Sequence, residues 1–243
     1  MDDNNLIINL LDLTFGYPNR PKVLNKLSLQ FYRGNRIGLI GPNGCGKTTL
    51  FHIIMGLLKP STGSIEIFGK PVKKEKDFYQ ARKKIGLLFQ DSDDQLFCPT
   101  VIEDVAFGPL NLGKSTDEAT KIAKSTLNFL GLTGFENRIT YKLSGGEKRM
   151  VSLATILAME PEILLLDEPI TGLDDKTKAK ITTILNDLSI SCIIISHEID
   201  FLAKTTDFIY TILNGKIVID DKMYIHQHVH AHPHGVNPHK HQS

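Results

Sequence analysis

The sequence predicts an α/β fold with a mainly parallel core sheet, because two kinds of segment alternate along it. Short runs of β-branched residues and leucine are typical of strands that are buried on both faces. Helical stretches lie between these runs, and such alternation indicates parallel strands connected by helices. The predicted strands are Arg36–Ile40, Ile85–Phe89, Ile163–Leu166 and Cys192–Ser196, and the predicted helices are Thr48–Leu57, Asp117–Leu130, Glu147–Met159 and Lys176–Leu188.

Two further regions differ from this pattern. Alternating polar and apolar residues in residues 1–35 and 62–72 predict an antiparallel β layer beside the core. Residues 91–137 contain no strong strand, only turn residues and helix, which predicts an inserted helical subdomain. We therefore expect one domain over residues 1–222 that contains this subdomain.

The composition argues against several classes of protein. The chain has 28 basic and 27 acidic side chains in 243 residues, so it lacks the positive charge of a dedicated nucleic-acid binder. No apolar run approaches the ~20 residues that span a bilayer, and the acidic, polar start is unlike a secretory signal. The three scattered cysteines fit a reducing cytoplasm.

A glycine-rich segment between a predicted strand and a predicted helix matches the pattern G-x-x-x-x-G-K-[ST]. Its glycines allow backbone N–H groups to converge on phosphate oxygens, which a Cβ atom would obstruct. The lysine is expected to reach the β- and γ-phosphates of a nucleotide, and the next threonine to offer its hydroxyl to Mg²⁺. The predicted nucleotide-binding residues here are Gly41, Pro42, Asn43, Gly44, Cys45, Gly46, Lys47, Thr48 and Thr49.

Two carboxylates follow the predicted strand Ile163–Leu166. Open α/β sheets bind their ligands at the carboxyl ends of strands, so Asp167 and Glu168 lie where a nucleotide is expected. We expect Asp167 to hold Mg²⁺, directly or through water. Glu168 is predicted to polarise the water that attacks the γ-phosphate.

The signature segment, Leu143–Arg149, predicts a helix start that can bind an anion. Ser144 and Glu147 have the spacing of a capping box, and Gly145 and Gly146 leave the helix N-terminus open to close approach. Free N–H groups and the positive end of the helix dipole favour an anion there. We therefore predict an anion site at Ser144, Gly145 and Gly146.

From about Leu6 to Asp220, the order and spacing of these motifs resemble the nucleotide-binding subunits of ATP-binding-cassette (ABC) proteins. The signature segment resembles a motif that is nearly private to that family. The resemblance implies a P-loop NTPase fold of the ABC ATPase type, an ATPase activity, and ATP with Mg²⁺ as ligands. It also implies a homodimer or heterodimer of ABC ATPases.

The resemblance assigns roles to further residues. Tyr17 falls where the family has an aromatic side chain that stacks on adenine. Gln90 matches the glutamine that senses the γ-phosphate, and His197 matches the switch histidine. Ile170-Thr171, before the Gly-Leu-Asp of the D-loop, departs from the small residues often found there. The implied catalytic residues are Glu168, His197, Gln90 and Lys47, and the implied Mg²⁺ ligands are Thr48, Gln90 and Asp167.

In the family, the signature segment of one subunit covers the ATP that the lysine of another subunit holds. By resemblance, Ser144–Gly146 would therefore act on the nucleotide bound by Lys47 of a second chain. Because the sequence has no membrane span, transport requires separate membrane subunits. The expected location is the cytoplasmic face of the cell membrane, as a peripheral subunit.

One stretch indicates a subfamily. Phe89–Thr100, followed by Val101–Gly108 and Pro109–Gly113, resembles the energy-coupling-factor ATPases, which power importers of vitamins and of cobalt or nickel. Asp91-Ser92 departs from the Asn-Pro that is usual there. The implied partners are a transmembrane coupling subunit and a substrate-binding membrane subunit.

The C-terminal tail, residues 223–243, favours a metal ion over a vitamin as the imported substrate, or cargo. It contains seven of the nine histidines and little that could pack, so its composition predicts disorder. Alternate residues of an extended chain project to one side at intervals of ~6.6 Å. Imidazoles without thiolates suit nickel, cobalt, zinc or copper. The candidate transition-metal ligands are His226, His228, His230, His232 and His234.

Other functions stay open on the sequence alone. The importer could carry a vitamin instead of a metal. A P-loop GTPase that acts as a nickel metallochaperone would also combine a phosphate loop with a histidine-rich segment. That class requires a guanine-reading N-K-x-D, whereas Asn25-Lys26 is followed by Leu27-Ser28. A soluble cassette ATPase acting on DNA or ribosomes usually carries two cassettes or a long coiled coil.

Overall fold

A six-stranded sheet lies at the centre of the protein, of which a computed structural model describes residues 5–218. In chain order the strands are β1 Leu6–Gly16, β2 Lys22–Tyr32, β3 Arg36–Ile40, β4 Thr62–Ile67, β5 Lys70–Pro71, β6 Ile85–Leu88, β7 Ile163–Asp167, β8 Ser191–Ile195, β9 Phe208–Leu213 and β10 Lys216–Val218. The α-helices are α1 Lys47–Ile54, α2 Glu75–Arg82, α3 Val101–Asn111, α4 Thr116–Phe129, α5 Gly145–Leu157, α6 Asp175–Asp187 and α7 Ile199–Thr205.

The central sheet has the order β10-β9-β3-β8-β7-β6. All neighbouring strands are parallel except β9 and β10, which confirms the predicted mainly parallel core sheet. The four strands predicted from apolar runs are present, and their ends differ from the prediction by one residue at most. The sequence reasoning missed β9 and β10 because neither is a continuous buried run.

Strand β7 shows why polar and apolar residues do not alternate in the core strands. Leu164 and Leu166 pack into an apolar cluster with the helices α3 to α6, whereas Ile163 and Leu165 pack into a second cluster on the other face. Both faces of the strand are therefore buried, and each position requires an apolar side chain. This apolar run ends at Leu166, so Asp167 is the last residue of β7 and Glu168 follows the strand.

A second sheet has the order β2-β1-β4-β5, and all its neighbours are antiparallel. This confirms the predicted antiparallel β layer. Its inner face packs with α1 and the central sheet in one apolar cluster, which includes Leu10, Leu24 and Phe51. The layer thereby holds the turn after β1, with Tyr17, beside the start of α1.

The segment 91–137 contains α3, α4 and a short 3₁₀ turn and no strand, as the sequence reasoning expected. Its status as an inserted subdomain and the domain limits 1–222 stay predictions. Helix α1 is shorter than predicted, because Gly56 adopts a left-handed φ of 70° after the C-cap Met55. Helices α2, α3 and α7 were not predicted.

The described helices are short. The longest of them, α4, has 14 residues, and within residues 5–218 no helix combines the length and apolar character needed to cross a membrane. The predicted site residues instead gather at one edge of the central sheet. Loops after β3, β6, β7 and β8 all leave the carboxyl ends of parallel strands there, which is where open α/β sheets bind ligands.

Candidate active site

A cavity of about 1180 Å³ opens at this edge of the sheet. It is formed by the turn after β1, the loop between β3 and α1, and the segments that follow β6, β7 and β8. The structure thus brings together most of the site residues predicted from five separate parts of the sequence. Those that line the cavity are Tyr17, Pro42, Asn43, Gly44, Cys45, Gly46, Lys47, Thr48, Thr49, Gln90, Asp167, Glu168 and His197.

The phosphate loop, Gly41–Thr48, requires glycine at positions where other residues would clash. Gly41 has a φ of 149°, and a Cβ atom there would lie 2.5 Å from the carbonyl oxygen of Ile212. Gly46 has a φ of 107°, and its Cβ atom would lie 2.6 Å from Leu24 Cδ2. Gly46 is also the N-cap of α1, and no side chain caps this helix. The first N–H groups of α1 are therefore available to an anion.

Lys47 is a buried cation held within the phosphate loop. Its Nζ donates hydrogen bonds to the carbonyl oxygens of Gly41, at 2.7 Å, and Pro42, at 3.2 Å. Cys45 Sγ lies 4.0 Å from the same nitrogen. Because the loop carbonyls supply only partial charges, the full positive charge at the base of the loop favours a phosphate anion.

Asp167 and Thr48 form a buried pair of oxygen ligands. Thr48 Oγ1 donates a hydrogen bond to Asp167 Oδ2 at 2.6 Å, while Asp167 Oδ1 is buried without a hydrogen-bond partner. Burial raises the pKa of Asp167, and the hydrogen bond from Thr48 opposes that rise. An orphaned carboxylate oxygen beside a hydroxyl is a hard-oxygen donor set, which fits Mg²⁺.

Glu168 lies beside His197 at the end of β7. The Glu168 side chain is almost fully buried, and its backbone has a left-handed φ of 48°. Its Oε1 lies 3.3 Å from His197 Nε2 without forming a hydrogen bond, and its Oε2 accepts a hydrogen bond from Thr171 Oγ1 at 2.7 Å. The His197 side chain is 53% exposed. The carboxylate is thus fixed while the imidazole can reach a bound ligand.

Gln90 follows β6 and lines the cavity through an exposed side chain. Its segment is held by Arg149 of α5, whose guanidinium donates to the carbonyl oxygens of Phe89, at 2.6 Å, and Gln90. Burial lowers the pKa of Arg149, and the charges of nearby carboxylates oppose that change. The sequence reasoning assigned no separate role to Arg149, because the carbonyl oxygens that it contacts lie 59 and 60 residues away along the chain.

Tyr17 lines the cavity and is 37% exposed. Its ring contacts Phe15 edge to face with 5.0 Å between centroids, and its hydroxyl lies 3.3 Å from Thr49 Oγ1. These contacts hold the ring near the start of α1. The position is compatible with a base stacked on the exposed face.

The signature segment does not line this cavity. Ser144 is the N-cap of α5 and forms the predicted capping box: its Oγ accepts from Glu147 N at 3.3 Å, and Glu147 Oε2 accepts from Ser144 N at 2.9 Å. Gly145 lines a neighbouring cavity of about 660 Å³, and Ser144 and Gly146 line neither. One chain therefore does not bring Ser144–Gly146 to the residues around Lys47.

The predicted transition-metal ligands His226, His228, His230, His232 and His234 lie outside the described residues. Within residues 5–218, no group of three or more histidine, cysteine, aspartate or glutamate side chains is arranged to hold a metal ion.

Comparison of the sequence with known protein families shows the family to which the chain belongs. The sequence profile of the family described as ABC transporter matches residues 24–171, which include the phosphate loop, the signature segment and Glu168. The chain belongs to the ABC transporter family. Since ABC transporters are powered by ATP hydrolysis, the chain is an ABC-type ATPase with the P-loop NTPase fold.

Two relatives show how closely the chain follows other ABC proteins. A Nitratidesulfovibrio vulgaris protein, provisionally named an ABC transporter ATP-binding protein, is 48% identical over 98% of this chain and 88% of its own length. The energy-coupling factor transporter ATP-binding protein EcfA of Methanocaldococcus jannaschii is 44% identical over 87% of this chain and 77% of its own length.

Solved structures of other ABC proteins have a similar fold. The structure of cbiO1 from Clostridium perfringens, described as part of the ABC transporter complex cbiONQ, has a TM-score of 0.78 and 34% identity, covering 88% of both chains. The ATP-binding cassette MJ0796, described as a dimer in a post-hydrolysis state bound to ADP and Pi, has a TM-score of 0.79 and 27% identity over 87% of this chain and 96% of its own.

Proposed function

We propose that this ATPase powers an energy-coupling-factor importer of cobalt or nickel through separate membrane subunits. The observation that carries the nucleotide chemistry is the meeting of Lys47, the Thr48–Asp167 pair and the Glu168–His197 pair in one cavity. The similarity to EcfA and to cbiO1 supports the energy-coupling-factor type. The family match gives no support to a GTPase metallochaperone.

Phosphate binding uses the start of α1. The free N–H groups of the phosphate loop and the Lys47 ammonium together neutralise the β- and γ-phosphates of ATP. Lys47 exchanges its bonds to the Gly41 and Pro42 carbonyls for bonds to phosphate oxygens. ATP binding is therefore expected to change the loop little.

Thr48, Asp167 and the Gln90 amide are the side chains that would hold Mg²⁺. The bound ion supplies charge neutralisation at the β- and γ-phosphate oxygens. Asp167 contributes the oxygen that has no other partner, so the site is ready without rearrangement of β7. Gln90 also senses the γ-phosphate. Arg149 holds the segment of Gln90 in place by donating hydrogen bonds to the carbonyl oxygens of Phe89 and Gln90.

Glu168 orients the attacking water and accepts its proton as the water oxygen bonds to the γ-phosphorus, the bond to the β–γ bridging oxygen breaks and ADP leaves. His197 contacts the γ-phosphate and stabilises the charge that develops on it. The imidazole is exposed enough to swing from Glu168 to a phosphate, because no hydrogen bond holds it.

The Ser144–Gly146 segment covers the ATP of a second copy of the chain. ABC ATPases work as dimers with transmembrane subunits. The described dimer of MJ0796 supports a two-fold arrangement in which two chains enclose two nucleotides. We place the protein at the cytoplasmic face of the membrane with residues 1–222 as its ATPase domain, bound to a coupling subunit and a substrate-binding subunit.

The proposed metal cargo rests on the histidine-rich tail. Five histidines alternate with other residues between His226 and His234, a pattern that suits nickel or cobalt. A vitamin importer is the alternative cargo class within the same subfamily.

Removing Tyr224–Ser243 is expected to leave basal ATPase activity unchanged and to abolish the binding of Ni²⁺ or Co²⁺. ATPase activity should persist because every proposed catalytic residue precedes the tail. The affinity of the full-length protein for the metal should fall below about pH 6, because protonated imidazole does not ligate metals. Calorimetry of both chains with each metal at two pH values measures this. A full-length variant distinguishes the loss of the imidazole groups from the loss of the tail itself. In this variant glutamine replaces His226, His228, His230, His232 and His234. Equal metal binding by all three proteins would contradict a metal role for the tail and favour a vitamin cargo.

Tyr17→Ala is expected to weaken MgATP binding about 5- to 150-fold, since base–aromatic stacking contributes roughly 1–3 kcal/mol. Stacking does not read the base edge, so GTP affinity should fall by a similar factor. Tyr17→Phe removes only the hydroxyl that contacts Thr49 and should bind as the native protein does. Titration with fluorescent nucleotides measures these affinities. Native affinity in Tyr17→Ala would exclude the residue from the base site.

A further inference from the structure

Thr171 is the hydroxyl-bearing residue that contacts the Glu168 carboxylate. Its Oγ1 donates to Glu168 Oε2 at 2.7 Å, and Glu168 Oε1 has no hydrogen-bond partner. We propose that Thr171 is a positioning residue for ATP hydrolysis, which holds one carboxylate oxygen so that the other faces the attacking water. The inference rests on the role proposed for Glu168.

The carboxylate needs such a restraint. The last torsion of a glutamate side chain is broad, and its two oxygens are chemically equivalent, so neighbouring groups must set its orientation. Glu168 N donates to the Ile195 carbonyl oxygen at 2.9 Å, which fixes the backbone but leaves the carboxylate free. Within residues 5–218, the Thr171 hydroxyl is the one group that hydrogen-bonds to the Glu168 side chain.

Thr171 itself is held by the turn that follows β7. Pro169 and Ile170 are buried, and Ile170 packs into the apolar cluster with the helices. The N–H of Thr171 donates to the Glu168 carbonyl oxygen at 3.4 Å. A buried apolar side chain at 170 thus presents the hydroxyl at 171 toward Glu168. Ile170 and Thr171 are also the two residues at which the sequence departs from the small residues often found before the Gly-Leu-Asp of the D-loop.

Loss of the hydroxyl has a specific consequence. Oε2 would become a buried carboxylate oxygen without a donor, which is unfavourable. The nearest available donor is His197 Nε2, 3.3 Å from the other oxygen, so the carboxylate is expected to turn toward the imidazole. Neither oxygen would then be aimed at the water. The Thr171 hydroxyl makes no hydrogen bond to Lys47, Thr48 or Asp167, so nucleotide binding should be preserved.

Thr171→Val keeps the shape of the side chain and removes the hydroxyl. We expect kcat for MgATP to fall roughly tenfold, as loss of a hydrogen bond to a charged group allows, with KM unchanged. Thr171→Ser should restore kcat to near the native value. Thr133→Val is the matched control, because Thr133 Oγ1 donates to Asn128 Oδ1 at 2.8 Å on the surface and far along the chain from the site. Steady-state hydrolysis with purified full-length protein measures all three variants.

A double variant tests whether Thr171 acts through Glu168. In single-turnover assays, Glu168→Gln and Glu168→Gln with Thr171→Val should have equal residual rates. A further loss in the double variant, native kcat in Thr171→Val, or a rise in KM that matches the loss of kcat would each overturn the proposal. If Glu168→Gln hydrolyses ATP normally, the role of Glu168 fails as well. If it is inactive while Thr171→Val is normal, only the positioning role of Thr171 fails.

Discussion

Glu168→Gln is expected to bind MgATP with native affinity and to lose steady-state hydrolysis by at least about 100-fold, the range of general-base catalysis. The amide keeps the size of the side chain and the bond from Thr171, but it cannot accept the proton of the attacking water. ATP should then hold two chains together, because hydrolysis is the step that reopens the pair. Size-exclusion chromatography with and without MgATP, alongside a phosphate-release assay, measures both effects.

Glu160→Gln is a suitable control for this variant. Glu160 is exposed and precedes β7, whereas Glu168 follows that strand at its other end. The control should hydrolyse ATP at the native rate and show no ATP-dependent dimer trapping. Normal turnover by Glu168→Gln would remove the residue from the catalytic step.

Gly145→Asp is expected to reduce hydrolysis strongly without disturbing the fold of its own chain. A Cβ atom at Gly145 would meet nothing within 4 Å, and an acidic side chain in the first turn of α5 is favoured by the helix dipole. In the pair, the new carboxylate would face the γ-phosphate bound by the other chain. We expect a loss of about 10²–10³-fold, comparable to removing a transition-state donor, with MgATP binding to the single chain retained.

Thr116→Asp is the matched control for Gly145→Asp. Thr116 has the same first-turn position in α4, after the N-cap Ser115 with its own capping box. This variant adds the same charge to an equivalent helix start away from the cavity, so its hydrolysis should be native. Native hydrolysis by Gly145→Asp would show that the start of α5 does not approach a nucleotide.

Much of the fold follows from patterns that burial imposes. The strands β3, β6, β7 and β8 are buried on both faces, so their sequences are continuous apolar runs that can be recognised without a structure. The strands β9 and β10 carry no such run and were missed. The phosphate loop was predictable because its backbone excludes side chains at Gly41 and Gly46.

The candidate site was less predictable where it depends on contacts between distant segments. The Arg149 guanidinium reaches two carbonyl oxygens 59 and 60 residues away, and no local pattern encodes that contact. Thr171 appeared in the sequence only as a departure from its family, and its bond to Glu168 became visible once the turn after β7 was folded. The role proposed for Ser144–Gly146 requires a second chain, because these residues do not line the cavity of their own chain.

The most direct test mixes two inactive variants, Lys47→Ala and Gly145→Asp. In a mixed pair, the phosphate loop of the Gly145→Asp chain meets the intact signature segment of the Lys47→Ala chain, which gives one complete site of two. We predict that the equal mixture recovers up to about a quarter of the native single-turnover rate, since half of randomly formed two-fold pairs are mixed. A mixture that is no more active than the sum of its two components would contradict a site shared between chains.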